Sequence, residues 1–229
     1  MQSLAQIAFF KGVADLDLAR FERRCIWKKI DEGQAVVGFD DATSDVYFLV
    51  SGDVRIEVRT AGGKELILAD LREDDLFGEL SAIDGEPRSA SVTALTNVVI
   101  CIVGAALFRE MLAASPTLSG KMMQRLSRRI RELNVRLLEH TALDIRHNLY
   151  AELLRLSTPR AQSAPARVVS PPPYHDVLAA RLGCRREQVT RELIAMERDG
   201  LLLKTRGALI LPDPEAIRSR ISLKMQAAG

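Results

Sequence analysis

The stretch Phe77-Gly78-Glu79-Leu80, followed by Gly85, Pro87, Arg88, Ser89 and Ala90, brings together residue types suited to a phosphorylated sugar. Gly78 has no side chain, so backbone N–H groups can come close to a ligand there. Glu79 is a carboxylate able to accept a sugar hydroxyl. Nine residues on, Arg88 offers a planar cation with several donors, a shape matched to phosphate. Ser89 adds a hydroxyl donor beside it. A second constellation lies near the other end of the chain. Arg186, Glu187 and Arg191 stand at i, i+1 and i+5 at the start of a helical pattern. Arg binds guanine O6 and N7 through two bonds and Glu accepts from cytosine N4, so the trio suits G·C pairs on both strands.

The elements that must hold these residues are legible as changes of period. Runs at 25–30, 46–50, 54–58, 66–68, 89–95 and 98–103 are rich in Val and Ile, and several alternate apolar with polar. Turn signals separate them: Glu32-Gly33, Ser51-Gly52-Asp53, Gly62-Gly63 and Asp84-Gly85. Short strands at this spacing predict a sandwich or barrel. From Leu107 the period becomes helical. Met122, Leu126, Ile130, Leu133 and Leu137 step by four, four, three and four, a narrow apolar seam that suits a partner helix and so a parallel dimer. The same seam could instead lie on its own domain. A second helix is expected over 144–156. Residues 157–173, with Pro159, Pro165 and Pro171-Pro172-Pro173, read as a boundary, because proline fixes the backbone and removes a donor. Beyond it the pattern gives a helix at 175–182, a turn at Gly183, a helix at 186–199, and two short strands at 201–204 and 208–211. Leu178, Leu182, Val189 and Leu193 would pack the two helices together.

Gly78-Glu79-Leu80 followed by Gly85-x-Pro87-Arg88-Ser89-Ala90 resembles the phosphate-binding cassette of cyclic-nucleotide-binding domains. In that family the Glu binds the ribose 2′-hydroxyl, the Arg binds the cyclic phosphate, and the backbone of the Gly-Glu-Leu turn helps both. The resemblance assigns those roles to Glu79, Arg88 and Gly78 with Leu80, and Ser89 matches the Ser or Thr of bacterial members. Arg186-Glu187-Gln188-Val189-Thr190-Arg191 resembles the recognition helix of the catabolite activator, or cyclic-AMP receptor (CRP/FNR), family of bacterial transcription regulators. That family also illustrates helix-turn-helix docking and DNA bending in general accounts of recognition. The resemblance spans nearly the whole chain and implies an α+β fold with a β-roll (jelly-roll), a long dimerisation helix ending at Leu143-Asp144, and a winged helix-turn-helix. The corresponding domains are 1–108, 109–143 and 144–229.

What the resemblance implies about function is a homodimer that binds cyclic AMP, reads a palindromic TGTGA-like site in double-stranded DNA and contacts RNA polymerase. It puts His175, Lys204, Thr205 and Arg206 where phosphate contacts occur, although these four could equally be ordinary surface residues, and Arg185 is counted with the DNA-binding residues. Well-known members supply a Thr-Ser pair from the long helix to the base. Counting back from Leu143-Asp144, Leu133 and Asn134 occupy those positions, and Arg129 falls where the family places a nearby Arg. The amide of Asn134 carries a donor and an acceptor, so the site could take cyclic GMP as well as cyclic AMP. Asn134 could equally set register in the helix seam. A regulator of this family whose cassette is vestigial is the alternative reading.

Composition narrows the remaining classes. Among 229 residues, 47% are hydrophobic and 27% charged, which permits a real core and argues against disorder. The net charge of +2 is unevenly spread: Lys121, Arg125, Arg128, Arg129, Arg131 and Arg136 face a single acid, Glu132, between 121 and 136. A basic end suggests a polyanion. Cys25, Cys101 and Cys184 are far apart and lack metal spacing, as expected of free thiols in a cytoplasmic protein. Iron–sulfur members of the superfamily carry clustered cysteines near the N-terminus, and haem members a β-roll His. Here the three His, His140, His147 and His175, all come later, so no metal, haem or cluster is expected. No signal peptide or membrane span is read, and no nucleophile–base set points to an enzyme.

Overall fold

The structure is a computed structural model that describes residues 3–60, 62–160 and 165–227. It divides into two compact units, 1–63 with 67–129 and 64–66 with 130–229.

In the first unit, β1 (Ile26–Ile30), β8 (Val98–Val103), β3 (Val46–Ser51) and β6 (Leu76–Phe77) form one antiparallel sheet in that order. A second sheet has the order β2 (Ala35–Val37), β7 (Ser91–Ala94), β4 (Val54–Arg59), β5 (Glu65–Leu71). β8 shows why the chain folds this way. Val98 and Ile100 point into the core shared with Val54, Val92 and Ala94, whereas Cys101 and Val103 point to the opposite face. That is the two-residue period of a strand buried on both sides. The outer face is covered by the N-terminal Leu4, Phe9 and Phe10, by Phe21 of α1 (Leu18–Glu22), and by two helices after β8. Phe48 and Phe108 are fully buried there, each side chain stabilising by roughly 1.5–3 kcal/mol.

The helical pattern that starts near Leu107 is two helices, α3 (Ala105–Ala114) and α4 (Pro116–Ala142), after the six-residue α2 (Glu79–Asp84). The break is the Ser115-Pro116 step. Proline disfavours helical geometry in the residue before it and has no N–H to give. Ser115 is accordingly extended, with φ −130° and ψ 103°. The seam also needs a correction. Met122 is 3% exposed and packs in the outer core with Leu118, while Met123 is 63% exposed. Leu126 of the expected stripe packs partly against the same core, while Met123, Ile130 and Leu137 recur every seven residues and are exposed.

In the second unit, α5 (Ile145–Leu156) starts at Asp144, whose carboxylate accepts from the His147 N–H. The span 157–173 is less irregular than expected, although 161–164 lie outside the described residues. It holds β9 (Thr158–Pro159) and β10 (Arg167–Val169). With β11 (Leu203–Lys204) and β12 (Leu209–Leu211) they make a sheet of order β11-β12-β10-β9. α6 (His175–Leu182) and α7 (Arg186–Arg198) pack through Leu178, Val189 and Leu193, all fully buried, and Gly183 turns between them at φ 63°. α8 (Pro214–Ala227) closes the unit. No described helix is long and apolar enough to cross a membrane.

Candidate functional site

Arg88 is a charged side chain that is only 3% exposed. Its Nε donates to Thr43 Oγ1 at 3.1 Å, its Nη1 to the Gly78 carbonyl at 2.9 Å, and its Nη2 to the Asp45 carbonyl at 2.8 Å. The guanidinium lies 5.5 Å from the centre of the Tyr47 ring, which stacks on Phe77 at 5.0 Å. A guanidinium has five N–H donors, so these three bonds leave two. Among the described residues its bonds go to a hydroxyl and two carbonyls, with no carboxylate at ion-pair distance. Burying a charge without a counter-charge is costly, and an arriving anion would supply one.

Gly78 is what lets this seat exist. It sits at φ 83°, a left-handed conformation. A Cβ there would meet Arg88 Nη1 at 2.6 Å and the Asp45 carbonyl at 2.7 Å. Glu79, the next residue, is half-buried, and burial pushes its carboxyl above the usual glutamate range despite opposition from Arg125, Arg129 and Arg88. Thus Gly78, Glu79, Arg88 and Arg129 are gathered in one electrostatic neighbourhood. Leu80 and Ser89 are exposed beside it, Leu80 at 45%. Leu133 and Asn134, about one turn beyond Arg129 on α4, are exposed in the second unit.

Sequence reasoning missed the parts of this seat that are far away in the chain. Thr43, Asp45 and Tyr47 precede Arg88 by more than forty residues, and two of the acceptors are carbonyls, which any residue type would provide. It also missed two arginines that bond to the cassette helix and to the strand before it. Arg125 of α4 donates to Asp75 Oδ1 at 2.9 Å and the Leu76 carbonyl at 3.2 Å, and Arg109 of α3 donates to the Ala82 carbonyl at 2.6 Å.

In the second unit, Arg186, Glu187, Thr190, Arg191 and Ile194 line one shallow concavity along α7. Their i, i+1, i+4, i+5, i+8 spacing is one face of a helix. Arg186, Glu187 and Arg191 are exposed, and Arg191 keeps 72% of its side chain in water. Ile194, 56% exposed amid charges, was not singled out from sequence, and neither was Thr190. Thr190 Oγ1 lies 3.1 Å from the Arg186 carbonyl, to which it donates, so the 2.7 Å contact with His175 Nδ1 has the ring nitrogen donating. Burial, then Lys204 and Arg186, lower the pKa of His175 and favour that neutral ring. Arg185 precedes α7 and its N–H donates to Gln188 Oε1 at 3.0 Å. On the hairpin, Lys204 pairs with Glu197 at 3.3 Å, Thr205 donates to the Ala208 carbonyl, and Arg206 is exposed.

Comparison with known proteins gives these two surfaces a lineage. Residues 27–115 match the model of the cyclic nucleotide-binding domain, and residues 124–220 that of the Crp-like helix-turn-helix domain. The cyclic AMP receptor protein of Thermus thermophilus is 31% identical over 201 residues, covering 84% of this chain and 87% of its own. The chain belongs to the CRP/FNR family of transcription regulators. Another member, the CRP-like cAMP-activated global transcriptional regulator of Mycobacterium tuberculosis, is 26% identical over 218 residues, covering 95% and 97% of the two chains. Among solved structures, the c-di-GMP-responsive regulator CLP of Xanthomonas campestris matches with a TM-score of 0.72 at 20% identity, over 84% of this chain and 96% of that one. A mutant of CooA from Carboxydothermus hydrogenoformans matches at 0.74 and 18%, over 87% and 88%. At those identities the likeness shows the fold. This CRP/FNR chain thus combines a β-rich nucleotide-binding domain, a long helix and a DNA-binding helix-turn-helix.

Proposed function

We infer that the protein is a cyclic-AMP-dependent transcription regulator that also accepts cyclic GMP. The observation that carries this is the buried Arg88 guanidinium, seated by a hydroxyl and two carbonyls and, among the described residues, with no carboxylate partner. The cyclic phosphate supplies the counter-charge, Glu79 accepts the ribose hydroxyl, and Gly78, Leu80 and Ser89 complete the cradle. Arg129, Leu133 and Asn134 meet the base, with the Asn134 amide reading the adenine amino group or guanine O6 and N1. The chain works as three domains, 1–108, 109–143 and 144–229.

The protein acts as a homodimer through α4, a reading supported by the exposure of Ile130 (58%), Leu133 (48%) and Leu137 (66%) along one stripe. Nucleotide binds one dimer geometry better than another and shifts the population toward it. In that geometry the two α7 helices stand about 34 Å apart, one DNA turn, and read a palindromic TGTGA-like site. Arg186, Glu187 and Arg191 contact bases, His175, Lys204, Thr205 and Arg206 contact the phosphate backbone, and Arg185 adds to the DNA-binding surface. The bound dimer then meets RNA polymerase in the cytoplasm.

Calorimetric titration with cyclic AMP and cyclic GMP, repeated on Arg88→Leu, tests the sensor. Binding by the wild type that vanishes in the variant supports it. One observation favours the second reading, a cassette that no longer needs a ligand: three donors of Arg88 are already met by the protein itself. Absence of binding by the wild type would select that reading and leave the DNA-binding role standing.

A further inference from the structure

In the second unit a chain of four ionised side chains runs from α4 through α5 to α6. Glu139 lies three residues before the end of α4. Arg155 of α5 donates from Nη2 to Glu139 Oε2 at 2.6 Å and from Nη1 to one oxygen of Glu152, one turn back on the same helix. Arg181 of α6 donates from Nη1 to the other Glu152 oxygen at 3.2 Å. Glu152 is 4% exposed, and the Arg181 side chain 6%. Two carboxylates and two guanidiniums leave the chain neutral.

Interior ion pairs are poor evidence of stability, because desolvation offsets most of the attraction, and apolar side chains of equal size would hold three helices together as well. What forked, charge-assisted bonds add is direction: they are satisfied in one relative placement of the helices and broken in others. The position of this chain gives that property a use. α4 ends at Ala142 and α5 begins at Ile145, so the Glu139–Arg155 bond spans the bend at Leu143-Asp144. The Glu152–Arg181 bond continues to α6, whose buried Leu178 packs with Val189 and Leu193 of α7. Arg146 of α5 reaches Glu192 of α7 at 2.7 Å, so the helix after the bend is tied to both helices of the DNA-reading pair.

We propose that Glu139, Arg155, Glu152 and Arg181 form a positioning clamp across the α4–α5 bend, through which the orientation of the long helix sets that of the DNA-reading helix. This rests on the nucleotide-dependent reading above. Arg155 is the keystone of the four, since it bonds to Glu139 before the bend and to Glu152 after it.

Two variants separate a clamp from ordinary packing. Glu139→Gln keeps its shape and leaves the buried Glu152–Arg181 pair intact. Arg155→Lys keeps the charge but loses the fork that reaches two carboxylates at once. Three quantities are read on the full-length protein: the cyclic AMP affinity, the ratio of DNA affinities with and without cyclic AMP, and amide hydrogen exchange at 143–148. The clamp predicts a nucleotide affinity within about twofold of wild type and a DNA-affinity ratio altered at least about fivefold in both variants, the lower end of ordinary allosteric coupling. Exchange at the bend should quicken while β-roll amides keep their rates. A ratio unchanged in both variants, whatever happens to Tm, overturns the proposal. If wild-type DNA binding ignores cyclic AMP, the functional reading fails, and exchange then decides the clamp alone: faster exchange at the bend supports it, and unchanged exchange in both variants overturns it.

Discussion

Replacing Gly78 by alanine probes the Arg88 seat more sharply than removing Arg88, because one methyl group is added and no charge is lost. Two terms contribute. An L-residue in the left-handed region, where Gly78 sits at φ 83°, costs roughly 1–2 kcal/mol. In addition, the new Cβ would lie 2.6 Å from Arg88 Nη1 and 2.7 Å from the Asp45 carbonyl, so the guanidinium must move and its 2.9 Å bond to the Gly78 carbonyl is lost. A charge-assisted bond of that kind contributes about 1.5–3 kcal/mol. Gly33→Ala is the control: Gly33 has φ 80° and nothing within 4 Å of its would-be Cβ, so only the backbone term applies. Thermal unfolding of the ligand-free protein should therefore place Gly78→Ala below Gly33→Ala, by about 2–4 °C for each kcal/mol of difference. Calorimetry with cyclic AMP should show affinity weakened roughly ten- to hundredfold by Gly78→Ala, the equivalent of the displaced Arg88 contact, and unchanged by Gly33→Ala. Wild-type affinity in Gly78→Ala would refute the argument that the position of the guanidinium determines binding. Equal loss in both variants would mean that the effect is general destabilisation.

Glu79 gives a pH test whose sign follows from its environment. Burial raises its folded-state pKa, so the stability linked to it is complete below the unfolded value and is lost as pH rises through the folded one. Glu79→Gln should therefore raise Tm at neutral pH, while nucleotide affinity, which uses the ionised acceptor, should fall on acidification in the wild type but not in the variant. The same slope in both proteins would count against that role. On DNA, Arg191→Ala should cost about 1–3 kcal/mol and relax choice at one base pair. Lys204→Ala should weaken all sequences alike and lower the salt slope by about one. Competition binding against single-base variants of the site distinguishes them, and uniform loss in Arg191→Ala would reassign that residue to phosphate. Ile130→Asp, at the centre of the exposed α4 stripe, should turn a dimer into a monomer in sedimentation velocity. A dimer that persists would locate the interface elsewhere.

What could be read from the sequence, and what could not, follows from where the chemical information is stored. β8 was legible over its whole length because six residues alternate between two apolar environments, and a period needs that many residues to show. β2 and β6, with three and two residues, carry no period, and the six-residue α2 between two left-handed glycines is shorter than a helical pattern. Met122 falls into the expected seam only because two successive steps of four are taken as one stripe; a residue eight before Ile130 points about 80° away from it, whereas one seven before, Met123, points within about 20°. The two candidate surfaces divide in the same way. The α7 face is a local object: Arg186, Glu187 and Arg191 define it, and the same helical spacing would have added Thr190 and Ile194. The Arg88 seat is a non-local one. Its cation and its glycine stand ten residues apart in a recognisable pattern, but its acceptors are carbonyls of Gly78 and Asp45 and a hydroxyl of Thr43, and main-chain atoms leave no mark on residue type. The Glu139–Arg155–Glu152–Arg181 chain is less legible still. Charged residues at three- and four-residue spacing on a helix are read by default as a solvated face, and only the fold shows that Glu152 faces inward between two arginines. A sequence thus announces the groups that touch a ligand, whose types are constrained by its chemistry. The groups that link one site to another are constrained only by each other, which is why they emerge from the structure and must be tested through coupling rather than through binding alone.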